Sequence, residues 1–288
     1  MKVMTIGAGF VADHLPYEKI PEHVEIDWQK VRALFSYHRP QVLINCIGKT
    51  GRPNVDWCES HKSSTAESNI VVPLLLADLC EKFDTHLINI GSGCIYFGDS
   101  PNGYWHATPP GPDQFPSGSE WLDTGWKETD FANPQSFYSK TKYSCDLVLG
   151  QMTHVTTLRI RMPISEKKVP RNLINKLKGY KQVIDIPNSV TFMNDLVRCI
   201  DWAANNRPGG IYHVANPQPL TAARIMKEYQ KYVPDHSFEI INEQQLDQLT
   251  KAKRSNCILN TEKLQLAGFQ MTNSEEALVN CMAKYMEH

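Results

Sequence analysis

Five short apolar runs, at residues 2–6, 42–46, 86–90, 155–160 and 210–214, are separated by segments long enough to hold at least one helix each. Runs this short read as buried strands, and residues 63–83 and 138–150 between them carry helical patterns. Strands alternating with helices imply a parallel sheet covered on both faces, the α/β, doubly wound class. In such a sheet ligands bind beyond the carboxyl ends of the strands. That directs attention to residues 48–59 and 91–96, each of which follows a strand. Further helices are expected at 171–180, 193–205, 222–232 and 275–286.

The chain of 288 residues carries a formal net charge of −1 with acids and bases interspersed. Neither a nucleic-acid footprint nor a polybasic membrane patch is visible, so no nucleic-acid or membrane partner is expected. The longest apolar stretch, at 70–77, is broken by Pro73 and closed by Asp78, far short of a span. Cysteines 46, 58, 80, 94, 145, 199, 257 and 281 are scattered, with no Cys-x-x-Cys pair and no ligand spacing for a metal. Reduced thiols and a cytoplasmic location are expected. Between residues 101 and 134 the composition shifts to Gly, Pro, Trp and polar residues without periodicity, which reads as a long functional surface excursion, most naturally a lid.

The first strand runs into Gly7-Ala8-Gly9-Phe10-Val11-Ala12, a G-x-G-x-x-A turn where a dinucleotide fold places its pyrophosphate. The first glycine permits the tight turn, the second lets backbone approach phosphate, and Ala12 lets the expected next helix pack closely. Asp27 lies at the separation of an acid that holds a ribose 2′-hydroxyl; it equally reads as the N-cap of a helix starting at Trp28. Farther on, Tyr138 and Lys142 are four apart and share a helix face, where an ammonium beside a phenol eases its ionisation. A Tyr-x-x-x-Lys pair alone is also consistent with an exposed helix face. Ser92 sits in the Gly-rich segment 91–96 upstream.

These residues, with the runs 50–62 (TGRPNVDWCESHK), 93–95, 137–142, 161–164, 170–172, 186–189 and 254–256, resemble the extended short-chain dehydrogenase/reductases. Within them they resemble the bifunctional 3,5-epimerase/4-reductases of UDP-L-rhamnose synthesis. The resemblance implies a Rossmann-type dinucleotide-binding domain of residues 1–161 plus about 188–215, and a smaller nucleotide-sugar domain of 162–187 plus 216–288. It implies NADPH as cofactor, with NADH possible, a UDP-linked 4-keto-6-deoxy sugar as substrate, and a homodimer. The family's turn is usually G-x-x-G-x-x-G; this chain is one residue shorter there, and its next helix and second strand are expected to be cut down.

By the same resemblance Ser92, Tyr138 and Lys142 form the reductase triad, with Lys142 holding the nicotinamide ribose and lowering the phenol's pKa. Cys94 and Lys176 match the epimerase acid/base pair, although taken alone a cysteine reads as a small buried hydrophobe and a helix lysine as solvated. Gly48 joins Gly7, Gly9, Phe10, Val11 and Asp27 at the cofactor, and Arg161, Met162 and Pro163 approach the nicotinamide through backbone groups. Arg52, Asn54 and Asp56 line the sugar pocket or cap the next helix. Asn172, Asn188 and Arg254 are candidates for the diphosphate. Asn69 shapes its helix and supports a relay water. Single-function dTDP-4-dehydrorhamnose reductases and GDP-fucose synthases are the near alternatives; the first needs no epimerase cysteine and the second pairs it with histidine. A non-catalytic NADP-binding regulatory subunit is the alternative of another class.

Overall fold

The computed structural model describes residues 1–20, 28–103 and 124–287. Its strands are β1 (Val3–Ile6), β2 (Glu18–Ile20), β3 (Val42–Asn45), β4 (His86–Ser92), β5 (Val155–Ile160), β6 (Pro163–Ile164), β7 (Gln182–Ile184), β8 (Thr191–Phe192), β9 (Gly210–Val214) and β10 (Glu239–Ile241). Its helices are α1 (Trp28–His38), α2 (Asp56–Ser60), α3 (Lys62–Ala66), α4 (Val72–Lys82), α5 (Phe137–Leu149), α6 (Leu173–Leu177), α7 (Met193–Asn206), α8 (Ala222–Gln230), α9 (Glu243–Leu249), α10 (Glu262–Leu266) and α11 (Ser274–Glu287).

The chain packs as two units, one of residues 1–95, 134–159 and 197–212, the other of 96–133, 160–196 and 213–288. In the first unit a six-stranded sheet runs in the order β2-β1-β3-β4-β5-β9. The pairs β1–β2, β1–β3 and β3–β4 are parallel. Strand order reverses across β1 and β3, so the loops after Ile6 and after Asn45 leave the sheet at its switch point, where doubly wound folds bind ligands. All residues of β3 and β4 are buried, which is why their sequence is a continuous apolar run rather than an alternating one.

One face of this sheet is sealed by α1, α4 and α5 through Val31, Phe35, Leu76, Leu79, Cys145 and Leu149 against Ile6, Leu43 and Leu87. Each such buried aliphatic side chain contributes about 1.5–3 kcal/mol. Between α3 and α4 the helix widens into a π turn, Glu67–Val71, where the Val72 N–H bonds back to the Glu67 carbonyl. Pro73, which has no N–H to offer, follows directly in the first turn of α4. The apolar stretch at 70–77 is therefore helical throughout.

The second unit has its own core, with Ile164, Ile174, Phe192, Leu220, Ile225, Leu278 and Met282 among its buried members. Two two-stranded parallel sheets, β10–β7 and β6–β8, border it. Among the described residues no helix is long and apolar enough to cross a membrane, and no group of His, Cys, Asp and Glu could hold a metal ion.

Candidate active site

At the end of β1 the chain turns through Gly7 (φ 98°) and Gly9 (φ 119°), both in the left-handed region that L side chains avoid. A Cβ on Gly7 would lie 2.8 Å from the Ile47 backbone nitrogen and from its Cγ1, whereas a Cβ on Gly9 would meet nothing within 4 Å. Gly7 thus packs the two switch-point loops together, and Gly9 leaves open backbone that a phosphate can approach. The turn does not open a helix, contrary to expectation. It closes into a single 3₁₀ turn, Ala12–His14, with the Asp13 N–H on the Gly9 carbonyl at 2.9 Å, and β2 follows. An anion here would meet individual N–H groups and no helix dipole. The truncated helix and second strand are as the short turn implied. Phe10 and Val11 are half-buried; the Phe10 carbonyl is 2.6 Å from His14 Nδ1. Asp27, and residues 104–123 of the expected lid, lie outside the described residues.

Across the switch point, Gly48 is the meeting place of three elements. A Cβ there would come within 3.4 Å of Asn69 Oδ1 and 3.7 Å of Lys142 Nζ. Asn69, wholly buried in the π turn, accepts the Lys49 N–H at 2.8 Å and donates to the Lys49 carbonyl at 3.0 Å and to Thr141 Oγ1 at 3.1 Å. One amide thereby ties the loop after β3 to α5. Lys142 Nζ donates to the Ile90 carbonyl of β4 at 3.0 Å.

Tyr138 is buried, and its phenol shares a hydrogen bond with the Ser92 hydroxyl. Burial above all, and then the neighbouring Cys94 sulfur, push its pKa above the ordinary value; the Ser92 bond opposes them. Tyr138 is consequently a protonated phenol near neutrality, suited to donate a hydrogen bond and then a proton. The Lys142 ammonium has the Ile90 carbonyl as its partner at 3.0 Å. Cys94 follows in the turn Gly93–Ile95, its N–H on the Ser92 hydroxyl at 3.1 Å, so thiol, phenol and serine converge at the end of β4.

Helix α5 carries Tyr138 and Lys142, and its N-terminus is closed twice. The Ser136 hydroxyl accepts the Ser139 N–H, and Glu59 Oε1, from α2, accepts the Phe137 N–H at 2.8 Å. The Glu59 carboxylate satisfies an orphan donor and complements the helix dipole. Sequence analysis missed it because a cap 78 residues away leaves no local signature. Glu59→Ala is expected to lower stability by about 1–2 kcal/mol. Glu59→Gln, which keeps an acceptor, should lose less; equal melting temperatures for Glu59→Ala and the unsubstituted protein would show that the contact contributes nothing.

The other expected residues are distributed unevenly. Arg52 is exposed, Asn54 and Asp56 half-buried, and Asn54 Oδ1 accepts the Asp56 N–H at 2.9 Å, helping to start α2. Lys176 is half-buried on α6 of the second unit, and half-buried Arg254 donates from Nη1 to the Ala252 carbonyl at 2.9 Å. Three more are buried, with their polar groups engaged. Asn172 is 0% exposed: it accepts the Ser165 and Ile174 N–H groups and donates to the Ser165 and Lys167 carbonyls, so its amide is spent on capping α6 rather than on a diphosphate. Asn188 accepts from Arg161 and the Cys257 N–H and donates to the Ile186 carbonyl and Asn256, with the same consequence. Arg161 is buried, its N–H on Thr191 Oγ1 at 2.9 Å and its guanidinium on Asn188 and Ser255, contacts that tie the second unit together. Pro163 is half-buried in β6, paired with Thr191. A cavity of about 170 Å³ in the second unit is lined by Phe192, Asp195, Cys281 and Lys284 among others, and by none of the expected site residues.

A family model described as the RmlD substrate binding domain matches residues 21–287. The chain belongs to the RmlD substrate binding domain family. A bifunctional dTDP-4-dehydrorhamnose 3,5-epimerase/dTDP-4-dehydrorhamnose reductase of Arabidopsis thaliana is 36% identical over 256 residues, 88% of this chain and 80% of that protein. A trifunctional UDP-glucose 4,6-dehydratase/UDP-4-keto-6-deoxy-D-glucose 3,5-epimerase/UDP-4-keto-L-rhamnose-reductase of the same plant is 35% identical over 268 residues, 92% of this chain; the chain spans 38% of that protein's length. The solved UDP-rhamnose synthase of Acanthamoeba polyphaga mimivirus superposes with a TM-score of 0.85 at 26% identity, covering 98% of this chain and 99% of that one. A Bacillus anthracis dTDP-4-dehydrorhamnose reductase in complex with NADP, 19% identical with a TM-score of 0.77 and covering 98% and 97% of the two chains, shares the fold.

Proposed function

We propose that this chain is an NADPH-dependent bifunctional enzyme that epimerises UDP-4-keto-6-deoxy-D-glucose at C3 and C5 and reduces its C4 ketone, giving UDP-β-L-rhamnose. The observation that carries this reading is a protonated, buried phenol hydrogen-bonded to Ser92, with the Cys94 thiol two residues beyond that serine. A ketone reductase needs the first two groups and has no use for the third. Relatives combining epimerase and reductase activities support the same reading.

The open backbone at Gly9, the close packing of Gly7 and the Gly48–Lys142 approach fit a dinucleotide. When bound, NADPH supplies the hydride for C4. Lys142 would hold its ribose hydroxyls. The Ser92 hydroxyl and Tyr138 phenol hydrogen-bond the C4 oxygen, and as that oxygen gains negative charge Tyr138 transfers its proton to it. The same grip serves epimerisation, because C3 and C5 both flank the ketone and each inverts through an enolate whose charge rests on the C4 oxygen. A base takes the proton from one face and an acid returns one to the other; Cys94 and Lys176 are the proposed pair. Arg52, Asn54, Asp56 and Arg254 are the proposed nucleotide-sugar contacts.

The test is incubation with NADPH and UDP-4-keto-6-deoxyglucose in deuterated water, with product analysis by NMR. UDP-rhamnose bearing deuterium at C3 and C5 supports the reading. NADPH oxidation without deuterium identifies a plain reductase, and no turnover with the UDP, dTDP or GDP keto-sugar overturns enzymatic function. Cys94→Ala is expected to slow deuterium entry by about a hundredfold, the scale of a lost general acid or base, while UDP-rhamnose oxidation with NADP⁺ persists. Undiminished exchange would remove Cys94 from that role.

A further inference from the structure

The backbone of Cys94 is gripped at both ends. Its N–H donates to the Ser92 hydroxyl at 3.1 Å, and its carbonyl accepts the Ser139 hydroxyl at 2.6 Å. Ser139 has a single hydroxyl hydrogen, and the Cys94 carbonyl, which can only accept, takes it. The 2.7 Å contact between Ser136 Oγ and Ser139 Oγ must then be donated by Ser136. Ser136 in turn accepts the Ser139 N–H at 3.1 Å. The proton order is thus set along one chain, from the first turn of α5 through Ser136 and Ser139 to the Cys94 carbonyl. Both serines are buried, so water does not compete for these bonds.

Cys94 lies at φ −70° and ψ 16°, in a turn where a small change of ψ redirects the peptide and with it the path of the chain beyond. Ser139 is also the residue next to Tyr138 on α5. One helix turn therefore holds both the phenol and the backbone that aims the thiol. The two are not held equally by Ser139: Tyr138 is bonded to Ser92, Lys142 to the Ile90 carbonyl, and the start of α5 to Glu59, none of them through the Ser139 hydroxyl.

We propose that Ser139 is a positioning residue for the epimerase half of the reaction, its hydroxyl clamping the Cys94 carbonyl so that the thiol keeps its direction relative to Tyr138. The inference rests on the proposed role of Cys94. A misplacement of about 1 Å in a reacting group is enough to cost on the order of a hundredfold in rate, so losing one of the two grips is expected to show in epimerisation before it shows in reduction.

The test measures two rates on one preparation: deuterium entry at C3 and C5 of UDP-4-keto-6-deoxyglucose with NADP⁺ present, and NADP⁺ reduction by UDP-rhamnose. Their ratio does not depend on the folded fraction, so partial misfolding of a variant leaves it readable. Ser139→Ala is expected to lower the ratio about tenfold, and Ser139→Thr, which keeps the hydroxyl, to restore it. A Ser139→Ala ratio within twofold of the unsubstituted protein, in a protein that does exchange deuterium, overturns the role of Ser139 alone. Absence of exchange in the unsubstituted protein overturns the epimerase reading and this inference with it.

Discussion

Tyr138→Phe is expected to lower the rate of C4 reduction by 10³-fold or more, within the range of about 10²–10⁴ found when a positioned general acid is lost. The phenol is buried and its pKa is displaced upward, so at neutral pH it holds its proton until the C4 oxygen becomes basic enough to take it. Phenylalanine keeps the ring and its packing but offers the developing alkoxide nothing. Ser92 still donates to the ground-state carbonyl, so KM should change little and the loss should fall on kcat. The sign of the pKa shift adds a second readout: ionisation of Tyr138 removes the acid only above its ordinary value of 10.0, so the rate should show no decline from this group between pH 7 and 9. Stopped-flow NADPH oxidation checks both. A Tyr138→Phe rate within tenfold of the unsubstituted protein would eliminate the phenol as proton donor.

Asp146→Ala is expected to remove about 3–5 kcal/mol of stability, the usual penalty for stripping one partner from a buried ion pair. Arg159 Nε meets Asp146 Oδ2 at 2.8 Å with the two side chains 3% and 2% exposed, so removing the carboxylate leaves a guanidinium that water does not reach. Against a net stability of about 5–15 kcal/mol for an ordinary domain, such a loss moves the whole transition. The pair joins β5 to α5, and Asp146 lies four residues beyond Lys142 on the helix that also carries Tyr138. Urea unfolding should show a lower midpoint at unchanged slope. Replacing both partners with Leu and Met should recover most of the loss, because a charge kept buried without its carboxylate costs more than the missing contact. A midpoint shift worth less than about 1 kcal/mol for Asp146→Ala would show that Arg159 is stabilised without it.

What a side chain can bind and what it does bind are separate matters. Lys142 illustrates the difference. A Tyr-x-x-x-Lys spacing puts an ammonium on the same helix face as a phenol, and here that ammonium donates to the Ile90 carbonyl, close to Gly48. Arg161 and Asn188 illustrate it again: the guanidinium donates to Ser255 and Asn188, and the Asn188 amide donates to the Ile186 carbonyl and Asn256.

The doubly wound sheet, the helix bearing Tyr138 and Lys142, and the loops that follow β1, β3 and β4 were all legible in the order of residues along the chain. Those features rest on short-range periodicity: a continuous apolar run marks a strand buried on both faces, and a spacing of four marks one helix face. Helix α5 begins one residue earlier and ends one residue earlier than the pattern implied. Which polar groups are already satisfied became visible with the folded chain. Glu59 closes α5 from 78 residues away, Ser139 reaches Cys94 across 45, and Arg161 meets Ser255 across 94. A side chain's chemical type states what it can bind, but its availability depends on partners that the chain brings together only on folding, and buried hydrogen-bonding groups are almost never left without them.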